Sequence, residues 1–330
     1  MTDDVIHIVL TCDDKYAQHA AVTIVSVVKN TKRKVHFYVF DCGILPENLE
    51  RLKRLDVGSN VLEVILVQKI EAFENYKYEP CYSPAIMYRL ATAEMLPHLD
   101  KVLYLDSDII AVRDVGLIWD IDLGDKLLAG KTDRSVRSQF SEGNSSKDCT
   151  KLGIMTGVLL MNLKKMREWN FFERVVEVVK ESEIEQCTDQ ECLYVCLNND
   201  QVMVLAYSCF MFNFSCCSID SNTPLFYHST EKPWRFHPWI LRCCPGVYFS
   251  YMYKYYEYLG NTSFKGFRYR CASIKYSLHY VLIRFAFRCV LFCQYNGIFP
   301  LKPACKWLFR KSSKTLELFW SKILNSKDDK

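Results

Sequence analysis

Residues 101–110, KVLYLDSDII, form an apolar run of strand length that ends on two aspartates one residue apart, Asp106 and Asp108. A buried strand that delivers carboxylates to its C-terminal end puts them where open α/β sheets place their ligands. Two such carboxylates are either a solvated loop edge or a seat for a hard divalent cation, which in turn neutralises a diphosphate. Upstream, β-branched runs at 5–11, 35–41 and 61–67 alternate with helical patterns at 17–29, 46–56 and 84–94. Downstream, strands are expected at 127–130, 157–163 and 201–205 and helices at 165–182 and 190–197, with a polar, Ser-rich loop at 134–150 read as a lid. Strands separated by helices imply βαβ units, hence an α/β fold with a mostly parallel sheet.

The composition of the 330-residue chain, 50% hydrophobic and 24% charged, excludes a disordered, collagen-like or disulfide-scaffold protein. Charge is unevenly placed: residues 264–330 hold 14 Lys+Arg against 3 Asp+Glu, a net of +11, which leaves −7 on residues 1–263. Composition shifts at the tyrosine-rich stretch from Tyr248 onward, so the chain divides into a catalytic or binding domain at 1–247 and a basic, aromatic, helical region at 248–330. Within the latter, residues 278–299 are the most apolar window, yet Arg284 and Arg288 sit at its centre. Two central arginines oppose a spanning helix and suit one lying in the membrane plane, the alternative being a helix packed on the protein's own body. An anionic membrane surface is therefore the expected partner of this tail; nucleic acid is not, since no recognised binding motif accompanies the basic residues. The N-terminus has no cationic segment and only a short apolar run, so the expected location is the cytoplasm, peripheral on the inner face of the membrane. The 16 cysteines, none in a C-x-x-C pair, are then expected to be reduced and mostly buried.

Other side chains extend the chemistry of Asp106 and Asp108. His228, in YHSTEKPW at 227–234, adds an imidazole, and nitrogen in the donor set favours Mn²⁺ over Mg²⁺. Lys232 is a point charge suited to phosphate, and Asp13 and Asp14 end the first strand where a carboxylate can accept from a base N–H or a ribose hydroxyl. Neither G-x-G-x-x-G nor G-x-x-x-x-G-K-[ST] occurs, which removes the dinucleotide and P-loop readings.

In this order the segments resemble glycosyltransferase family 8, retaining GT-A enzymes that include bacterial lipopolysaccharide glucosyl- and galactosyltransferases. The matching pieces are Thr11-Cys12-Asp13-Asp14 with Tyr16; Tyr88-Arg89-Leu90; residues 101–108; LIWDIDLG at 117–124; GVLLMNLKK at 157–165; Asp189-Gln190; and His228 with Lys232, Pro233 and Trp234. The resemblance covers roughly residues 5–240 and implies a GT-A sheet flanked by helices. It implies Asp106, Asp108 and His228 as Mn²⁺ ligands, with Mg²⁺ the second choice, and Asp13 as the uracil contact. Thr11, Cys12 and Ser107 would border the donor, Arg89 and Lys232 would meet its sugar and phosphates, and Asp133 would face the sugar. Asp189 and Gln190 would lie beneath the reacting sugar, Gln190 nearest the anomeric carbon. The implied reaction moves glucose or galactose from UDP-glucose or UDP-galactose to a saccharide or glycolipid acceptor in cell-surface glycan synthesis. The chain departs from the family at Lys15 and Met155, where asparagine is common, and in a shorter loop after His228. A sugar-phosphate nucleotidyltransferase and a non-catalytic glycan- or lipid-binding protein are the competing classes.

Overall fold

The structure is a computed structural model that describes residues 5–75, 83–133, 151–181, 188–205, 210–211, 225–228, 232, 251 and 254–264. The expected lid at 134–150, the loop between His228 and Lys232, and the tail beyond Phe264, including the apolar window, lie outside the described residues. Among the described residues no helix is long and apolar enough to cross a membrane.

The chain opens as two βα units and a third strand. Strand β1 (Ile6–Cys12) leads to helix α1 (Ala17–Asn30), β2 (Val35–Asp41) to α2 (Pro46–Lys53), and β3 (Val61–Leu66) follows. Pro46 at the first turn of α2 loses no hydrogen bond there, because the leading amides of a helix have no intrahelical acceptor. Strand β4 (Lys101–Leu105) and the two-residue β5 (Ile110–Ala111) flank the aspartates. Then come β6 (Leu128–Thr132), β7 (Ile154–Asn162), α3 (Leu163–Glu168), α4 (Phe171–Glu181), α5 (Asp189–Cys196) and β8 (Val202–Val204).

These strands form one seven-stranded sheet in the order β3-β2-β1-β4-β7-β6-β8. The first four in that order run parallel, β7 runs antiparallel to both β4 and β6, and β8 is parallel to β6. The sheet is thus mixed and mostly parallel, as the GT-A resemblance implied. A three-stranded sheet of β5, β10 (Phe226–Tyr227) and β9 (Phe210–Met211) lies apart, and in it β10 pairs antiparallel with β5.

Alternation along the strands makes two cores. Ile6, Ile8, Leu10 and Cys12 of β1 with Leu103 and Leu105 of β4 face α1, whereas Val9 with Val102 and Tyr104 face the other side. The second core is closed by Phe171, Val175 and Val179 of α4 and by Cys192 and Leu193 of α5. Helix α1 buries ten of its fourteen residues, consistent with an apolar run that has no polar face. Part of its cover comes from the tyrosine-rich segment: Tyr251, Tyr255, Tyr256, Tyr258 and Leu259 belong to the same core.

Two expected helices are broken. Residues 84–94 form 3₁₀ turns at Pro84–Ile86 and Tyr88–Ala91 and one α-turn at Thr92–Met95, because tertiary contacts of Arg89 override the helical pattern. Residues 165–182 divide into α3 and α4 at Asn170, whose φ of 53° is the left-handed conformation asparagine tolerates at helix ends.

Candidate active site

The C-terminal ends of β1 and β4, adjacent in the sheet, bring Asp13, Asp106 and Asp108 to one edge. Pleating puts Asp106 on the same face as Tyr104, two residues earlier, and Tyr104 OH donates to Asp106 Oδ1 at 3.1 Å. Tyr104 OH also meets Thr11 Oγ1 at 3.0 Å, so Thr11 supports the aspartate across the β1–β4 seam. Ser107 Oγ donates to the Thr11 carbonyl at 2.6 Å, and the Asp106 amide donates to the Gly157 carbonyl at 2.8 Å. The D-x-D turn is thereby tied to both neighbouring strands.

His228 arrives from the small sheet, directly after β10. Its Nε2 lies 3.1 Å from Asp108 Oδ1 and 3.6 Å from Asp106 Oδ2, and one ligand atom from each of these residues falls within 4.8 Å of the others. Lys232 Nζ contacts Asp108 Oδ2 at 2.6 Å. Burial opposes ionisation of Asp108, but Lys232 and His228 outweigh it and hold its carboxyl well below the usual range. Gly157 backs the cluster: a Cβ there would stand 2.8 Å from both Asp106 Oδ2 and His228 Cε1.

Arg89 binds the two halves of the site together. Its Nη1 lies 2.8 Å from Asp106 Oδ1 and 3.2 Å from Asp189 Oδ2, and it donates to the Thr156 carbonyl at 3.0 Å while Nε donates to Ile86 O at 2.8 Å. The guanidinium also sits over the Tyr104 ring, 4.6 Å from its centroid. Burial disfavours its charge, yet Asp106 and Asp189 more than offset that and raise its pKa above the ordinary value. Asp189 is shifted up, chiefly by burial, against the opposing pull of Arg89. It opens α5, whose start is fixed by a capping box between Thr188 and Glu191. Gln190 follows, with a buried Oε1 that has no hydrogen-bond partner among the described residues.

The remaining expected site residues are placed as follows. Asp13 caps the turn after β1, accepting from the Tyr16 amide at 3.1 Å and from Ser83 Oγ at 3.0 Å. Asp133 stands just past β6, its amide donating to the Gly153 carbonyl at 2.8 Å. Cys12 is enclosed in the α1-side core, where burial pushes its thiol pKa well up. Met155 lies opposite Lys131 in the β6–β7 pairing. Tyr104, Gly157 and Thr156 were not expected from sequence; the one available signal was a tyrosine two residues before Asp106 on an otherwise aliphatic strand.

The donor set fits a divalent cation. Two carboxylates and an imidazole converge, the buried Asp108 Oδ1 faces His228 Nε2 at 3.1 Å, and a lysine ammonium already occupies the neighbouring cationic position. With a neutral imidazole, the carboxylates of Asp106, Asp108 and Asp189 exceed the charges of Arg89 and Lys232 by one, and a divalent ion would turn that balance positive, ready for an anionic diphosphate.

Two expectations follow from this geometry. Gly157→Ala forces its Cβ into the ligand cluster, so Mn²⁺ affinity, measured by titration of the free ion's EPR signal, falls at least tenfold while the circular dichroism spectrum is kept. Arg89→Gln removes the cation between Asp106 and the buried Asp189 and costs about 3–5 kcal/mol of stability at pH 7. Asp189, already shifted up by burial, loses the opposing pull of Arg89 and binds its proton more tightly in the folded protein than in the unfolded chain, so the penalty shrinks as pH falls; urea titrations at pH 7 and pH 5 check both the size and the sign.

Known proteins place the chain among sugar transferases. The profile of glycosyl transferase family 8 matches residues 7–237. Glycosyltransferase GlyF of Streptococcus pneumoniae is 29% identical over 239 residues, 69% of this chain and 56% of that protein. General stress protein A of Bacillus subtilis is 26% identical over 183 residues, 54% of this chain and 63% of that protein. The chain therefore spans a little over half the length of these relatives. In fold it is similar to the galactosyltransferase LgtC, solved with donor and acceptor sugar analogs, at a TM-score of 0.64 and 24% identity, covering 81% of this chain and 100% of that one. With the profile spanning well over half of its length, the chain belongs to glycosyl transferase family 8.

Proposed function

We propose that the protein transfers a hexose, glucose or galactose, from a UDP-sugar to a saccharide or glycolipid acceptor with retention of anomeric configuration. The observation that carries this reading is the convergence of Asp106, Asp108 and His228 at the sheet edge of a family 8 chain. A divalent cation held there, Mn²⁺ before Mg²⁺, would supply charge neutralisation for a diphosphate. Lys232, beside Asp108, would share the charge that develops on the leaving group. Asp13 would turn toward the uracil, and Asp133 would face the sugar.

Retention by a covalent route needs a carboxylate nucleophile near the anomeric carbon. Asp189 is buried and paired with Arg89, which commits it to orienting the start of α5, and Gln190 offers a neutral amide that is a poor nucleophile. Front-face attack fits these residues better: the acceptor oxygen bonds to the anomeric carbon as the bond to the phosphate oxygen breaks, and that oxygen takes the acceptor's proton. The unpartnered Gln190 Oε1 would then stabilise the electron-poor sugar carbon. Family membership argues against a nucleotidyltransferase, and the intact ligand set argues against a decayed binding protein.

The basic tail gives this enzyme a place to work, the inner face of a membrane bearing a lipid-linked acceptor for lipopolysaccharide or another surface glycan. Each well-placed Lys or Arg would add about 1 kcal/mol of attraction to anionic lipid.

UDP release from a panel of UDP-sugars, with and without Mn²⁺, tests the reaction. Metal-dependent release with UDP-glucose or UDP-galactose is expected, and Asp108→Asn lowers it at least a hundredfold; release that ignores both metal and substitution refutes the assignment. Removing residues 265–330 leaves Phe264 in its contact with Arg51 and is expected to abolish sedimentation with anionic liposomes while donor hydrolysis persists. Undiminished sedimentation refutes the membrane role.

A further inference from the structure

The three carbonyls that follow Asp106 are each held by a side-chain hydroxyl from a distant part of the chain. Thr23 Oγ1, in the middle of α1, meets Ser107 O at 3.0 Å and Ile109 O at 2.7 Å. Between them, the Asp108 carbonyl accepts from Tyr251 OH at 3.3 Å, across 143 residues of sequence. Tyr251 is fully buried, and its ring also packs edge-on against Tyr227, 5.9 Å between centroids, the residue directly before His228. One side chain therefore touches the backbone of one candidate ligand and the immediate neighbour of another.

Its own position is fixed four residues on. Tyr255 OH lies 2.6 Å from His19 Nδ1 and accepts from Gln18 Nε2 at 3.0 Å, both at the start of α1. Further along, Tyr258 OH accepts from Asn30 Nδ2 at 2.9 Å, at the far end of the same helix. Tyr255 and Tyr258 anchor the segment to α1, while Tyr251 hydrogen-bonds to the D-x-D turn.

We infer that Tyr251 is a positioning residue for the metal site, setting the separation of Asp108 and His228 through the Asp108 carbonyl and the Tyr227 ring. This inference rests on the metal-dependent reading above. Without the hydroxyl, the buried carbonyl loses its partner and the turn relaxes by tenths of an ångström, enough to detune three ligand atoms that must meet one ion. The composition shift near residue 248 is then no boundary for the active site, because a residue beyond it helps to hold the ligands.

The test compares Tyr251→Phe, which keeps the ring and loses the hydroxyl, with Tyr255→Phe, which loses an anchoring hydroxyl that does not touch the turn. Both are titrated with Mn²⁺ alone by EPR in the full-length protein, and both are melted. Tyr251→Phe is expected to weaken Mn²⁺ binding about tenfold, with Tyr255→Phe unchanged in Mn²⁺ affinity even where its melting temperature falls as far. Tyr251→Leu, which also removes the ring packed on Tyr227, weakens it further, and Tyr251→Phe raises the Mn²⁺ concentration for half-maximal UDP release by the same factor. Equal affinity in wild type and Tyr251→Phe overturns the inference but leaves the transferase reading standing, as does an equal loss in both phenylalanine variants. Absence of Mn²⁺ binding by the wild type overturns both.

Discussion

The charge of Arg89 is what the site is built around. Two buried carboxylates, Asp108 and Asp189, are drawn together with the partly buried Asp106, and crowding like charges in this way is costly unless cations and hydrogen bonds answer them. Arg89 answers two of them, and Lys232 answers the third. The arrangement stiffens as well as neutralises: Arg89 links the 84–91 turns, the end of β4, the Thr156 carbonyl of β7 and the start of α5 through one planar group. Arg89, which the resemblance gives as a donor contact, lies beside Asp106 and over the Tyr104 ring, where it also supports the ligand-bearing turn.

That foundation explains both what sequence could reveal and what it could not. Strands β1, β2 and β4 and helix α1 are legible within a residue or two, because a buried parallel strand must be nearly continuously apolar and a helix on its face must match it, and the edge strand β3 is legible from its β-branched residues. The reversal of β7 between β4 and β6 leaves no such mark, since a two-sided buried strand reads the same in either direction. The segment 84–94 was misread for a related reason. Its apolar spacing is helical, but Arg89 must reach Ile86 O and Thr156 O at once, and the 3₁₀ turns that permit this carry no separate signature.

The candidate site divides in the same way. Asp106, Asp108 and His228 are visible because metal chemistry demands those residue types at the ends of strands, and the residues meet as the pattern implied. Their supports are invisible because each is an ordinary residue whose meaning lies in a distant partner. Gly157 matters only because its missing Cβ leaves room for Asp106 and His228, 51 residues before it and 71 after. Tyr104 reads as one more strand residue until Arg89 is laid across it. Periodicity finds surfaces, and motifs find ligands, but neither reports which buried hydroxyl meets which carbonyl.

The tyrosine-rich segment shows where such blindness has consequences for domain organisation. Composition marks a change near residue 248, yet Tyr251, Tyr255, Tyr256, Tyr258 and Leu259 complete the same core that holds β1 and α1. A helix as fully buried as α1 needs cover on the side away from the sheet, and leaving that side exposed would open apolar surface at about 25 cal/mol per Å². Tyrosines suit this cover because their rings share the apolar core of α1 while their hydroxyls satisfy polar groups along the helix: His19, Gln18 and Asn30. The same physics carries one hydroxyl to the Asp108 carbonyl. Packing of the C-terminal segment and geometry of the ligand-bearing turn are thereby joined through one hydrogen bond.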